Sequence, residues 1–313
     1  MAATETKYVV VTPAFNEADY IERTIESVVA QTVRPVRWVI VDDGSTDNTS
    51  DIVRAYSQRH DWIEGMQRTK VPGQTYYGSN VYAILEGLRR VAERAYDFLA
   101  VLDADIELCP DYYEAVFRKF DEHPELGVAS GTYLEKEGDR QIEARIDRLH
   151  TPKAIQVFRR PCYEQIGGYI PFRNGGEDSG TEVMARMVGW QTWSFPEIKA
   201  IHHRPVGTGD GRSLLGARFR LGLSDYCVGT HPLFMLCKCA KRSVWERPYL
   251  LSGFARLAGF LSGYLRRESC QMPEAAKKYL RKEQLGRLLA TVRLRKPGWA
   301  PRPGVGDPER RVP

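Results

Sequence analysis

The sequence predicts an α/β protein: a nucleotide-binding type of sheet, mostly parallel with a mixed second half, helices on both faces, and a basic helical extension behind it. Two observations predict it. Apolar runs of strand length alternate with amphipathic helical segments as far as Leu108, and strands separated by helices pair in parallel through right-handed crossovers. The second observation is where the acids fall. Asp42-Asp43 and Asp103-Ala104-Asp105 each follow an apolar run, which places them at C-terminal strand tips, the edge where open α/β sheets hold ligands.

Taken in order, "YVVVT" reads as the first strand, "DYIERTIESVVAQ" as a helix with Ile21, Ile25, Val28 and Val29 on one face, and "RWVIV" as the second strand, a βαβ unit. A helix near Asn48 to Gln58, a strand near Ile63 to Arg68, a helix from about Asn80 to Ala95 and the strand "FLAVL" complete the first half. Beyond Leu108 the alternation breaks. A helix at about Tyr112 to Asp121 precedes extended pieces at "GVASGTYLE" and "AIQVF", glycine-rich turns near Gly167 and Gly175, a short helix from Asp178 to Val188, and two more extended pieces, "TWSF" and "KAIHH". From about Arg212 the chain turns helical and basic. The expected organisation is a domain over 1–211 with halves near 1–110 and 111–211, a helical extension over 212–295, and a disordered Pro- and Gly-rich tail over 296–313.

With 42% hydrophobic and 27% charged residues over 313 positions, the chain can bury a sizeable core. No apolar stretch reaches the length that crosses a bilayer, and "MAATETKYVV" lacks the basic start and apolar core of a signal peptide. A cytoplasmic protein is expected. Cys109, Cys162, Cys227, Cys237, Cys239 and Cys270 show neither paired metal spacing nor scaffold density, so they are expected to be reduced and mostly buried.

The net charge of +5 hides an asymmetry. From Lys238 onward there are 18 Lys and Arg against 6 Asp and Glu, a net of +12, which leaves the first 237 residues at −7. Because the basic part is also apolar, it suits an anionic membrane surface, and no nucleic-acid partner is expected. "YLLSGFARLAGFLSGYL" sets Leu250, Phe254, Leu257, Leu261 and Leu265 at helical spacing. This stripe either packs on the body of the protein or lies on the inner leaflet, aided by "KKYLRK" and "RLRKPGW".

The glycine fingerprint of a dinucleotide fold is missing after the first strand, as is a phosphate loop ending in Gly-Lys-Ser/Thr. Another grip is needed. Magnesium and manganese take oxygen ligands and share their shell with water and phosphate, so the carboxylates of Asp103 and Asp105 suit a metal-bound diphosphate. Pro13 to Glu17 lie at the same edge, where Glu17 can accept hydrogen bonds from a base or ribose while Asn16 or Asp19 caps the next helix. Asp42 can accept a ring N–H, and Asp43 fits a turn. Glu177 and Asp178 follow flexible glycines at the mouth of a helix, where dipole complementation alone would favour acids. His202 and His203 end an extended run, so alternation sends them to opposite faces.

The strings "VVVTPAFNE", "VIVDDGSTDNT", "AVLDAD" and "GGED", in that order over roughly the first two thirds of the chain, resemble family 2 glycosyltransferases of the GT-A fold. The resemblance implies an inverting hexosyltransferase that uses a nucleoside-diphosphate sugar, most simply a UDP-sugar, a divalent Mn2+ or Mg2+, and a lipid-linked or polysaccharide acceptor hydroxyl. It further implies that Asp42 reads the base with Pro13, Phe15, Glu17 and Asp43 around it. Asp103 and Ala104 would then lie at the ribose, and Asp105 would hold the metal. Glu177 would orient the acceptor and Asp178 would act as general base. His202, in preference to His203, resembles the late metal ligand, Arg204 a phosphate contact, and Arg159 and Arg160 a segment approaching donor phosphates or acceptor. The chain departs from the family at Ala83-Ile84-Leu85-Glu86-Gly87 and at "GQTYYGSN", which leaves the sugar open. A sugar nucleotidyltransferase would need a Gly-rich basic loop where "TPAFNEADY" stands, and a membrane-associated scaffold without turnover would not need all four acids.

Overall fold

The computed structural model describes residues 6–70, 73–137, 140–144, 146–204 and 213–292, so the tail expected to be disordered lies outside the described residues. The chain runs β1 (Tyr8–Ala14), α1 (Ile21–Val29), β2 (Arg37–Asp42), α2 (Thr49–Arg59), β3 (Ile63–Gln67), α3 (Tyr76–Val91), β4 (Phe98–Leu102), β5 (Ile106–Leu108) and α4 (Tyr112–Glu122). The second half follows with β6 (Leu126–Glu137), β7 (Arg140–Glu143), β8 (Ile155–Arg159), α5 (Arg160–Gln165), α6 (Glu177–Met187) and β9 (Gln191–His202). Helices α7 (Leu214–Val228), α8 (Pro232–Trp245), α9 (Leu251–Arg266) and α10 (Glu274–Val292) form the extension.

Among the described residues the strands make one sheet in the order β3-β2-β1-β4-β8-β6-β9-β5, with β7 paired to β6. Strands β1 to β4 are parallel, β8 runs antiparallel between β4 and β6, and β9 returns parallel to β6, so the expected change from parallel to mixed falls after β4. Every residue of β1 is buried. Tyr8 and Val10 enter one core layer while Val9 and Val11 enter the other, as strands covered by helices on both faces require.

Three local features differ from expectation for physical reasons. Helix α3 starts at Tyr76, four residues early, because the Thr75 hydroxyl accepts the Gly78 N–H at 3.2 Å and caps it. The two expected pieces "TWSF" and "KAIHH" form one strand, β9. Its register against β6 slips between Ser130 and Thr132, where Ser194 and then Lys199 stand opposite, so the slip takes up Pro196. Gly131 makes this approach possible, since a Cβ there would meet the Ile198 carbonyl oxygen at 2.4 Å. The short strand β5, unmarked in the sequence, carries the segment after Asp105 to the far edge of the sheet.

Helices α7 and α9 cross almost backbone to backbone. A Cβ on Gly222 would meet the Arg256 carbonyl oxygen at 1.8 Å, and one on Gly259 the Phe219 carbonyl oxygen at 1.9 Å. Beside the crossing Asp225 accepts from Lys238 at 2.7 Å and from Arg256 at 2.8 Å, which holds its carboxyl below the usual range to about 2 despite burial. Helix α10 docks on α6 through a two-pronged pair between Arg186 and Glu283 at 2.9 and 3.1 Å. The inward faces of the extension are therefore committed to the protein. Its apolar stripe is not: Phe254, Leu261 and Leu265 face solvent, and of that set Leu257 alone packs against a buried cluster. Among the described residues no helix is long and apolar enough to cross a membrane.

All six cysteines are free, but the expectation of burial holds for Cys162, Cys227 and Cys239 only. Cys109 and Cys237 are exposed. Helical geometry sends Cys237 outward when Cys239 turns in.

Candidate active site

Strand tips bring the first group of acids together. Pro13 and Ala14 end β1 beside Val41 and Asp42 of β2, and the loops beyond them are laced to one another. The Asn16 side-chain oxygen accepts the Thr46 N–H at 2.8 Å, the Glu17 N–H donates to the Thr49 hydroxyl at 2.8 Å, and Ala18 N–H reaches Asp47 at 3.1 Å. Neither Asn16 nor Asp19 caps α1, which has no side-chain cap at all. Asn16 instead serves the neighbouring loop with a left-handed backbone, φ 54°.

Asp42 accepts the Ser45 N–H at 2.8 Å and the Ser50 hydroxyl, which fixes the turn after β2. Asp43 is an internal anchor, taken up by Arg68 and the Ser79 hydroxyl, with Lys70 at 3.6 Å. That Lys70 ammonium also lies 3.3 Å from the centre of the Phe15 ring, a cation–π contact that steadies the rim.

The metal-side residues meet because β5 and β9 are antiparallel with Ile106 opposite His202. His202 Nε2 lies 3.4 Å from Asp105 Oδ2. His203 points away and pairs with Glu107 at 2.9 Å, as alternation requires. Arg204 then donates from Nε to Asp105 at 2.8 Å and from its other arm to Glu17. Arg204 thus clamps two acids of the first group. Burial alone would raise the Asp105 pKa, but His202 and Arg204 outweigh it and hold it far below the carboxylate range. Glu17 goes the other way, to about 7, because burial and the Asp105 charge exceed the help of Arg204.

Whether the residues fit a divalent ion follows from this donor set. Asp105 and His202 lie side by side, and His202 Nδ1 and Glu17 Oε2 are buried without a hydrogen-bond partner among the described residues. Carboxylate oxygens with one imidazole suit Mn2+ or Mg2+. No three acids, histidines or cysteines among the described residues are grouped closely enough to hold an ion unaided, so water and phosphate oxygens would complete the shell.

The second group of acids stands at the N-terminus of α6. Gly175 and Gly176 take φ of 80° and 108°, a left-handed turn that glycine adopts without strain, and α7 braces it through Ser224, whose hydroxyl donates to the Gly175 carbonyl at 2.7 Å. Asp178 accepts the Ser179 N–H at 2.6 Å. Glu177 is buried, and desolvation with the neighbouring Asp178 charge raises its pKa to about 7 although Lys153 opposes.

Four residues that were not named as candidates from the sequence, Lys153, His150, Glu182 and Tyr76, stand among these acids. Lys153 donates to Asp103, and the charges of Glu177 and Asp178 also act on it, together outweighing the effect of burial and raising its pKa. It joins the two groups of acids. His150 pairs with Glu182 at 3.0 Å and stands 3.8 Å from Asp178. Glu182, four residues after Asp178 and so on the same helix face, also accepts from Thr151. Tyr76, from the unusual "GQTYYGSN", is half-buried within the fields of Glu17, Asp103 and Asp105, and its hydroxyl pKa is raised chiefly by desolvation.

Arg159 and Arg160 do not join this cleft. Arg159 lies opposite Phe98, at the start of β4, whereas Asp103 follows the other end of that strand. Arg160 donates to Glu164 at 2.7 Å and to the Arg94 carbonyl at 3.0 Å, over the Tyr96 ring. Antiparallel pairing of β8 with β4 puts the pair at the far edge of the sheet.

The family model "Glycosyl transferase family 2" matches residues 9–181, more than half of the chain, a span that runs from Glu17 through Asp178 of the two acidic groups. The chain belongs to this family. Sequence relatives include the poly-beta-1,6-N-acetyl-D-glucosamine synthases of Staphylococcus aureus (strain MSSA476), 27% identical over 118 residues, and of Staphylococcus epidermidis, 26% identical over 117 residues. Each match covers 37% of this chain and 26% of the relative, so the chain spans about a quarter of the length of those synthases. Two solved structures share the fold, each with a TM-score of 0.55 over 92% of this chain. One is the mannosyltransferase PcManGT from Pyrobaculum calidifontis in complex with GDP-Man and Mn2+, 18% identical with 81% of that chain covered. The other is TarS 1-349 of S. aureus in complex with UDP-GlcNAc, 16% identical with 82% covered. The fold is that of the GT-A glycosyltransferases.

Proposed function

We propose that this family 2 protein is an inverting hexosyltransferase that moves a sugar from a UDP-sugar to a hydroxyl of a lipid-linked or polysaccharide acceptor, at the cytoplasmic face of the membrane. The reading is supported by Lys153, which pairs with Asp103 of the donor side and lies in the fields of Glu177 and Asp178 of the acceptor side. The base would sit near Pro13, Phe15 and Asp42, with Asp43 stiffening the wall, and the ribose near Asp103 and Ala104. A Mn2+ or Mg2+ held by Asp105 and His202, and not by His203, would act as a Lewis acid on the diphosphate.

In the transfer step the Asp178 carboxylate takes the proton of the acceptor hydroxyl while that oxygen bonds to the anomeric carbon. The bond from that carbon to the phosphate oxygen breaks, and its electron pair leaves with the nucleoside diphosphate. With one base and no protein nucleophile the anomeric carbon is inverted, the single-displacement logic of inverting glycosidases. Glu177 orients the acceptor, and Arg204, once drawn from the acids it clamps, offers a fork for phosphate oxygens.

Thermal shift with UDP and GDP, each with and without Mn2+, tests the donor side, since a ligand selective for the folded state raises its apparent stability. UDP with Mn2+ is expected to give the largest rise, and Asp105→Asn to remove the metal-dependent part. Asp178→Asn is expected to keep that rise and lose roughly a hundred to ten-thousand-fold in transfer. Native-rate transfer by Asp178→Asn would exclude it as the base, and binding without any turnover would leave the scaffold reading.

A further inference from the structure

The outward side of the extension is apolar, and no element among the described residues covers it. On α9 the residues Leu251, Phe254, Ala258, Leu261 and Leu265 recur at steps of three and four, all exposed, Phe254 at 67% and Leu265 at 86%. At the helical rise this makes a ridge about 21 Å long. Val244, Trp245, Tyr249 and Leu250 continue it where α8 meets α9. So large a contiguous apolar surface marks an interaction site, and the opposite side of α9 is already spent on the glycine crossing with α7.

Charge decides what covers it. From His231 to Arg267 the chain has seven Lys and Arg against Glu246 alone. Lys238 and Arg256 both turn inward to Asp225, whose single charge offsets one of the two. Lys241 and Arg247 are exposed at one end of the ridge and Arg266 and Arg267 at the other. Where the ridge ends, Arg266 also joins Arg173 and Arg220, with Glu268, in lining a cleft of about 270 Å³. A second copy of the chain would set like charge against like across a shared apolar face. An anionic lipid surface matches both the ridge and its basic ends, and aromatic side chains such as Trp245, Tyr249 and Tyr264 favour the boundary between headgroups and acyl chains.

We propose that the outward face of α8 and α9 docks flat on an anionic lipid bilayer, with the Leu251-to-Leu265 ridge in the headgroup–acyl boundary and the arginines at its ends on lipid phosphates. The proposal does not depend on sugar transfer. It does bear on it: α9 packs on α7, and α7 holds the Gly175-Gly176 turn that presents Glu177 and Asp178. A membrane under α9 therefore lies against the acceptor side of the protein.

The test is co-sedimentation of the full chain with vesicles of phosphatidylcholine alone and of phosphatidylcholine with phosphatidylglycerol in equal parts. The native protein is expected to bind the anionic vesicles, weakly the neutral ones, and to be released by salt. The double substitution Phe254→Glu with Leu265→Glu should cut binding at least about tenfold, and Arg266→Gln with Arg267→Gln should remove much of the preference for anionic vesicles. Both pairs are solvent-facing, and if melting shows the glutamate variant misfolded, Leu261→Gln takes its place. Binding unchanged by the ridge substitutions, or a native protein that stays in solution with anionic vesicles, overturns the proposal. So does a lipid-free dimer that the ridge substitutions dissociate, which would make a second copy the occupant. Nucleotide binding and transfer on a soluble acceptor are read separately, so failure here leaves the transferase reading standing.

Discussion

His150 Nε2 lies 3.8 Å from Asp178 Oδ2, while its Nδ1 is held at 3.0 Å by Glu182. Burial would lower the imidazole pKa, but Glu182 and then Asp178 outweigh it and raise the value to about 9, with Lys238 opposing from α8 and Asp147 facing it from its own segment. A His raised from 6.5 to about 9 stabilises the fold fully below 6.5 and loses that contribution as pH climbs through 9. The cation also stands beside the proposed base, within ion-pair distance of its carboxylate. His150→Gln is expected to lower kcat by roughly tenfold with little change in KM for the donor, and to flatten the fall in melting temperature between neutral pH and pH 9. An unchanged alkaline fall in the variant would show that another group titrates there.

Glu177 carries the opposite sign. Its pKa is raised to about 7 by burial and by Asp178, and one of its oxygens is buried with no hydrogen-bond partner among the described residues. A raised carboxyl pKa means that ionising Glu177 costs stability as pH rises from about 4.5 through 7. Glu177→Gln removes that cost, so the variant should melt several degrees above the native protein at pH 8 and near it at pH 5. Transfer should fall at the same time, the exchange of stability for activity that a strained site predicts. Equal melting temperatures at pH 8 would remove the claim of a penalty.

How much of this was legible in the sequence depends on distance along the chain. The strand-tip acids Asp42, Asp103 and Asp105 could be placed because β1, β2 and β4 follow a local period and parallel pairing puts their tips at one edge. Alternation could only send His202 and His203 to opposite faces, the preference for His202 came with the family resemblance, and the pairing of β5 with β9 put His202 beside Asp105. Lys153 and His150 lie in an irregular stretch before β8 with no periodicity to orient them. Their partners are 50 and 32 residues away, a separation that no local pattern reports. Arg160 was misplaced for the related reason that nothing local to "VFRRP" says β8 runs antiparallel to β4. The apolar stripe of α9 was plain, but which of its two sides meets the protein was set by Gly222 and Gly259, small residues whose role appears only when the helices cross.

That crossing makes a stability prediction with its own control. At Gly222 and Gly259 an added methyl meets backbone oxygen at 1.8 and 1.9 Å, atoms that cannot swing aside, so the helices must separate. Gly222→Ala or Gly259→Ala is expected to cost about 1–3 kcal/mol or more. Gly286, within α10, has nothing within 4 Å of a built Cβ, and Gly286→Ala should stabilise by up to about 1 kcal/mol from helix propensity. Denaturant melts of the three variants check both signs, and a neutral Gly259→Ala would contradict the close crossing.

Lys153 offers the strictest test of whether the two groups of acids act together. Its ammonium is paired with Asp103 and lies in the fields of Glu177 and Asp178, so removing the charge leaves three carboxylates without the cation that acts on all of them. Lys153→Met keeps much of the side-chain volume and is expected to cost about 1–3 kcal/mol, the usual loss when a partly buried charged group is left without its partner. In an Asp103→Asn background the same substitution should cost clearly less, because one of the stranded acids is already neutral, and the difference is the coupling energy of the pair. Transfer should fall in both, while a soluble UDP analogue still binds. Additive losses in that cycle would mean that Lys153 and Asp103 act apart, and the two groups of acids would then have no cation in common.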